Sequence, residues 1–431
     1  MSNQPYEINE AGQKFIADME DILKQEIKVG RYSREIHVSD GNIISVNFSS
    51  RKISKLPDSL YYLESLENLN LMENKITKLS ESIGNLKNLK NLIIFGNPIK
   101  TLPENLSSLI KLEEINVSFT KISIIPEWFE NFTNLKKLEA LNINLKVIPE
   151  CVRQLKNLRN LELDSNKIPQ IPEWIGELTN LKVLGLCSNP ISTIPDSLKN
   201  LVNLETLLLH ACKLEFLPDF VCDLSNLEYL ELAGNNLKTL PKDLGKLRLL
   251  RDIDIHDNKI TSLPESIKLL KNLETLNLEF NNYKTLPESL MGMKIAPSLW
   301  LCNNKLSSLP DWFAQDNKVG ELCLSDNLFE EFPEQLKYLP NLEILYINNN
   351  KIKVIPEWIS EIPLLEVLDV SNNMITELPG FLKDLELDEL TITGNPIKNV
   401  PEWAASLNRL ERLKKEREVF SQEKKRNIKN P

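Results

Sequence analysis

The chain has 431 residues, 42% of them apolar and 26% charged, and a formal net charge of −10. That balance is globular; it excludes a disordered tail or a coiled coil, and the acidic total argues against nucleic acid as a partner. No run of about 18 apolar residues could span a bilayer, and the 13 glycines form neither GxGxxG nor a GxxxxGKS-type loop to cradle phosphate.

The opening residues, MSNQPYEINEAGQKF, lack a basic stretch leading into an apolar core, so no secretory signal is expected. The six cysteines, at 151, 187, 212, 222, 302 and 323, form no CxxC pair. Reduced thiols and a cytoplasmic location follow as expectations. Phe15, Ile16, Met19, Ile22, Leu23 and Ile27 recur at helical spacing. Glu35–Val38 and Ile43–Phe48 then flank Ser39-Asp40-Gly41-Asn42, a hairpin signal. Residues 1–42, a helix and the start of that hairpin, are read as an N-terminal cap.

From there one period governs the chain. Prolines at 57, 103, 126, 149, 172, 195, 218, 241, 264, 287, 310, 333, 356 and 379 are spaced by 23 or a multiple of it. Ser80 fills the one vacant slot. Pro401 follows after 22, so one residue is missing between Pro379 and Leu387. Such a period marks a repeat architecture. Aligned on the proline, each unit reads LxxLxLxxNxIxxLPxxIxxLxN. Clean copies are Leu158, Leu161, Leu163, Asn166, Ile168, Ile171, Pro172, Ile175, Leu178 and, 69 residues on, Leu227 to Leu247. Sixteen units run from Ile43 to about Leu407. The pattern resembles the leucine-rich repeat family, in its 23-residue LPxxIxxLxNL type.

The residues support the same fold without the name. LxL has period two and makes a short strand whose leucines point inward. Proline ends the pairing, and IxxL at spacing three suits a turn of α- or 3₁₀-helix. No single unit buries its apolar side; stacking them buries a continuous core under a parallel sheet. The expected fold is therefore α/β: a right-handed leucine-rich repeat solenoid over residues 43–407, with the sheet on the concave face and the short helical turns on the convex side.

Asn74, Asn97, Asn166, Asn189, Asn235, Asn258, Asn281, Asn304, Asn327, Asn350, Asn373 and Asn395 hold one slot. Buried there, an amide offers two donors and an acceptor to loop backbone, which makes this column a structural ladder. Thr120 and Cys212 are smaller substitutes in it. Ile143 cannot hydrogen-bond and shares its unit with Ala140, so the unit Leu135–Pro149 is expected to be the weakest. At the far end Leu407, Leu410 and Leu413 continue a helical stripe. Residues 408–431 carry nine Lys or Arg against four Asp or Glu and are read as a solvated basic cap helix and tail.

Function is expected on the outward residues of each strand, because packing fixes the inward ones. Near the N-terminus Met72, Ile93, Phe95 and Leu141 make an apolar patch. Glu231, Asp252, Asp254, Asp257 and Glu279 make an acidic field around His256, with Tyr229 beside it. Trp300 and Tyr346 place large aromatics on the same face, the look of an interface hot spot. Asp164, Cys187 and His210 follow one another in one column and mimic an acid–thiol–imidazole set. A row on an open sheet lacks a helix N-terminus, an oxyanion hole and an enclosed pocket, so no catalytic residue is assigned. Cys187 and His210 alone are too few to hold zinc, so neither metal nor cofactor is expected. Five of the six tryptophans, Trp128, Trp174, Trp312, Trp358 and Trp403, stand two residues after a repeat proline. They form a rim that either covers loops or makes a second docking ridge.

Among leucine-rich repeat proteins the chain resembles, in its repeat frame, the intracellular Ras-group scaffolds. That resemblance implies a protein partner on the concave face, a small GTPase or another signalling protein. No basic-flanked V-x-F phosphatase-docking motif is present, and too few residues follow Pro401 for a ligase, kinase or GTPase domain. The expectation is a non-catalytic scaffold or regulator, with a sensor for a basic peptide or small ligand through the acidic patch as the alternative.

Overall fold

In the computed structural model, residues 8–31, 33–293, 298–314 and 319–407 are described; the basic segment 408–431, with Leu410 and Leu413, lies outside them. The chain divides into two compact units, Met1–Glu231 and Leu232–Pro431.

The first unit begins with helix α1 (Glu10–Leu23), whose N-cap Asn9 accepts the Gly12 amide through its side chain at 2.8 Å. Phe15 and Met19, four apart, are buried, and the Phe15 ring lies 6.2 Å from that of Phe48. The apolar stripe is narrower than its spacing implies: Ile22 is 41% exposed, and Ile16 and Leu23 are half-buried. Strand Ile36–Ser39 pairs antiparallel with Asn42–Asn47. Asp40 and Gly41 join them with φ of 49° and 77°, the two positive values that a tight hairpin requires.

Eight three-residue strands follow, from Asn68–Asn70 to Tyr229–Glu231, each parallel to the last at an offset of 23. In each the middle residue is buried and its neighbours face outward, which is the period-two reading of LxL. The second unit repeats the scheme in seven strands, from Asp252–Asp254 to Glu389–Thr391. Its last pairing, Leu368 with Leu390, is offset by 22, where the sequence lacks one residue. Helix α2 (Glu402–Leu407) follows.

After each strand the chain closes a 3₁₀ turn. In Glu173–Glu177, Pro172 occupies the N-cap with extended backbone, and the Ile175 amide donates to the Pro172 carbonyl at 3.0 Å. Where proline is missing, Ser80 takes the cap and its hydroxyl accepts the Ser82 amide at 3.2 Å. A left-handed residue stands just before the ladder slot in repeat after repeat, for example Ser165 (φ 57°), Ser188 (55°), Phe119 (54°) and Phe280 (49°).

The ladder asparagines satisfy the backbone that these turns expose. Asn189 donates through Nδ2 to the carbonyls of Leu163 and Leu186, both at 3.0 Å, and its Oδ1 accepts the Ile168 amide at 3.0 Å. Asn281 and Asn373 repeat the geometry in the second unit. Ile143 and Ala140 are fully buried, and Thr120 in the preceding repeat fills the gap. Its hydroxyl donates to the Val117 carbonyl at 2.8 Å and accepts the Ile122 amide at 3.4 Å, the two groups an asparagine at 143 would serve. Cys212 donates its thiol to the Leu186 carbonyl at 3.5 Å, again the bond of the missing amide.

Candidate functional site

Strand register sets the outward side chains in rows. In the first unit Asn70, Ile93, Asn116, Glu139, Glu162, Gly185, Leu208 and Glu231 are successive partners. Met72, Ile93, Phe95 and Leu141 are all half-buried. The Phe95 ring lies 4.9 Å from Phe119, which is 46% exposed. Phe119 belongs to this patch, and a reading limited to the outward strand columns misses it. Its slot faces outward because its backbone is left-handed, a conformation that costs a bulky residue energy.

Further along the same unit, Asp164, Cys187 and His210 stand on successive repeats. Asp164 Oδ1 accepts the Cys187 amide at 2.6 Å. Gly185 leaves space for this carboxylate, since a Cβ there would lie 3.2 Å from both oxygens. Burial raises the Asp164 carboxyl above its ordinary range, with the Cys187 bonds opposing. Burial, then the charge of Asp164, pushes the Cys187 thiol far up. A thiol so held is the reverse of an activated nucleophile. Cys187 Sγ, a ring nitrogen of His210 and a carboxylate oxygen of Glu231 all lie within 4.8 Å of one another. Glu231 thus joins the pair read from sequence, because the next repeat's row is offset by two residues. Tyr229, on the same strand as Glu231, is 44% exposed.

In the second unit one row runs Asp254, Asn277, Trp300, Cys323, Tyr346, Asp369. Trp300 and Tyr346 are half-buried rather than fully exposed, each beside Cys323 on the strand between them. His256 Nδ1 lies 2.7 Å from Asp254 Oδ1, which also accepts the His256 amide at 3.1 Å. That hydrogen bond raises the histidine's pKa, against partial burial. Burial raises the Glu279 carboxyl, and the nearby His256 opposes the rise. Asp252, Asp254 and Glu279 are half-buried and Asp257 is exposed. The acidic residues read as one field therefore fall into two groups, Glu231 in the first unit and these four in the second.

Cys302 and Cys323 are joined as a disulfide with Cα atoms 5.5 Å apart, which corrects the expectation of six free thiols. They are 21 apart in sequence, two short of the repeat, and so diagonal neighbours in space; a search for CxxC cannot see such a pair. Cys151, Cys187, Cys212 and Cys222 are free and buried. The rim tryptophans Trp128, Trp174, Trp312, Trp358 and Trp403 are half-buried. Trp128 packs 5.1 Å from Phe129 and 5.9 Å from Phe132, Trp312 6.4 Å from Phe313, and Trp358 6.3 Å from Phe332. Their rings are thus neither fully covered by their own repeats nor fully exposed. Among the described residues no helix is long and apolar enough to cross a membrane.

The family described as "Leucine-rich repeat region" matches residues 57–174, 170–256 and 219–322, and "Leucine rich repeat" matches 332–375. No curated protein matches the chain. Among solved structures, a leucine-rich repeat protein of Leptospira interrogans is 32% identical, over 82% of this chain and 91% of that one, with a TM-score of 0.75. The plant peptide hormone receptor RGFR1, in complex with RGF2, is 23% identical over 88% of this chain and 71% of its own, with a TM-score of 0.64. The functional domain of InlJ from Listeria monocytogenes is 20% identical over 78% and 69%, with a TM-score of 0.64. The last two likenesses are of fold.

Proposed function

The chain belongs to the leucine-rich repeat family, a family of protein-binding scaffolds, and on that premise we propose that it is a non-catalytic scaffold or regulator that holds a protein partner against the strand face of its second unit. The observation that carries this reading is the row Asp254, Asn277, Trp300, Cys323, Tyr346, Asp369. It sets two half-buried aromatics among carboxylates, and large rings flanked by charge dominate interface energetics. Asp254, His256 and Glu279 supply charge on that face; on the first unit Met72 with Phe95, and Glu231 with Tyr229, are proposed contacts of that unit's own strand face. The similarity to Ras-group scaffolds makes a small GTPase the first partner to test, in a cytoplasmic setting. The same reading assigns 1–42 as cap and 43–407 as binding solenoid.

The test is affinity purification followed by titration with the recovered partner, comparing wild type with Trp300→Ala/Tyr346→Ala. Loss of roughly 2 kcal/mol or more of binding is expected, with little change in melting. Unchanged binding by the folded double variant sinks the assignment. The acidic group Asp252, Asp254, Asp257 and Glu279 favours a second reading, capture of a basic peptide. The RGFR1 structure is of a receptor with a peptide hormone. Salt separates the two: a basic peptide loses affinity steeply as ionic strength rises, whereas an aromatic-anchored partner does so weakly.

A further inference from the structure

We propose that the strand face of the first unit carries a divalent metal site of zinc type, its ligands being Cys187 Sγ, the His210 imidazole and a Glu231 carboxylate oxygen. The geometry comes first. The three ligand atoms lie within 4.8 Å of one another. Ligands around one tetrahedral zinc ion sit about 2.0–2.3 Å from it and hence roughly 3.5 Å apart, so side-chain rotation alone closes the set. The donors point to the metal. Thiolate, imidazole and carboxylate together suit zinc or cobalt, whereas magnesium and calcium take oxygen ligands.

The backbone beneath is fixed. The Cys187 carbonyl accepts the Ser165 amide at 2.7 Å and Asn189 Nδ2 at 3.2 Å. The His210 carbonyl accepts the Ser188 amide at 2.8 Å. Ligands mounted on backbone so pinned, Cys187 and His210 in the turns just after their strands, are held close to their working geometry before metal arrives. Asp164 is a positioning residue: its Oδ1 holds the Cys187 amide at 2.6 Å, in the space Gly185 leaves open. Three protein ligands leave the fourth position of the ion toward the open side of the sheet, for water or for a partner's side chain.

The repeat lattice makes such clusters by construction. Glu279, Cys302 and Cys323 stand 92 residues beyond Cys187, His210 and Glu231, four repeats on in every case, and their ligand atoms also lie within 4.8 Å of one another. There the two sulfurs are joined to each other. In the first unit His210 and Glu231 stand where those two sulfurs are, and Cys187 stands where Glu279 is.

Cobalt titration decides the matter. Full-length protein, wild type and in a Cys302→Ser/Cys323→Ser background, is stripped with chelator and titrated with Co²⁺ under reducing conditions. One equivalent is expected in that background, with a thiolate-to-cobalt charge-transfer absorption that one equivalent of Zn²⁺ erases. Cys187→Ser abolishes the absorption; His210→Gln keeps it but weakens Co²⁺ binding at least about tenfold. Zn²⁺ raises the melting temperature of the parent and not of Cys187→Ser. An absorption that survives Cys187→Ser, or no stoichiometric binding by the folded parent, overturns the site. If Cys187→Ser does not fold, His210→Gln decides, and unchanged cobalt affinity there overturns it equally.

Discussion

Asp164, Cys187, His210 and Glu231 in the first unit occupy the same lattice positions as His256, Glu279, Cys302 and Cys323 in the second, 92 residues apart. Beneath both sets the frame is the same, with a left-handed residue before each ladder slot and asparagines Asn189 and Asn281 making matching bonds. The chemistry above has diverged completely. One set is a thiol facing an imidazole and carboxylates; the other is a disulfide next to a glutamate, with a histidine turned onto Asp254. A repeat frame that satisfies its own backbone and buries its own leucines leaves the outward positions free to vary, so equal stability and unequal function belong at equal positions.

The comparison breaks first at the frame, where the largest effect is expected. Asn189→Leu and Asn281→Leu each leave one buried amide, of Ile168 or Ile260, without its acceptor, and leave two carbonyls with only the donor of a neighbouring rung. Each should cost roughly 1–3 kcal/mol, and the two costs should agree within about 0.5 kcal/mol. Urea melts of the two variants measure this. A loss in one unit and none in the other would show that the frames are not equivalent.

A smaller effect of opposite sign is expected at the left-handed slot. Phe280 holds φ of 49° with a ring 48% exposed, so Phe280→Asn should stabilise by about 0.5–1 kcal/mol in the same melts. Phe119→Asn should gain less, because it forfeits the ring contact with Phe95 at 4.9 Å. Equal gains would mean that the Phe95–Phe119 contact contributes nothing to stability and is present for binding alone.

The smallest effect is electrostatic. His256 is raised above its ordinary value of 6.5 by its hydrogen bond to Asp254, with further help from Glu279 and Asp257. Folding therefore favours the imidazolium. The stabilisation is full below pH 6.5 and is lost as pH rises through the folded value. Proton NMR should find His256 titrating above 6.5, and Asp254→Asn should move it down. A His256 that titrates unchanged in Asp254→Asn would remove the hydrogen bond as the cause.

Much of the frame was legible in the residues. The proline period gave the repeat, LxL the strands, Asp40 and Gly41 the hairpin, and the period the place of the Asn column. Where the ladder lacks an asparagine at 143, Thr120 does for Val117 and Ile122 what Ile143 cannot; a column read one slot at a time misses such an answer from a neighbouring repeat. Outward contacts were harder for a related reason. Columns assembled at spacing 23 find straight neighbours such as Cys187 and His210, while diagonal ones fall at 21, and both Glu231 and the Cys302–Cys323 pair are diagonal. Exposure was also overestimated for Trp300 and Tyr346, which are half-buried on strands two apart with Cys323 between them.

The ladder has a mechanical consequence. Among the described residues none of its bonds joins residues more than 26 apart, so within a unit load passes from one repeat to the next and never skips ahead. Pulled from its ends, such a unit is a set of links in series. Tension peels the outermost repeat while the rest stay closed, and every link that opens pays out about 75–80 Å of chain. A scaffold strung this way yields under force by increments, and a partner seated several repeats inward is the last thing to be let go.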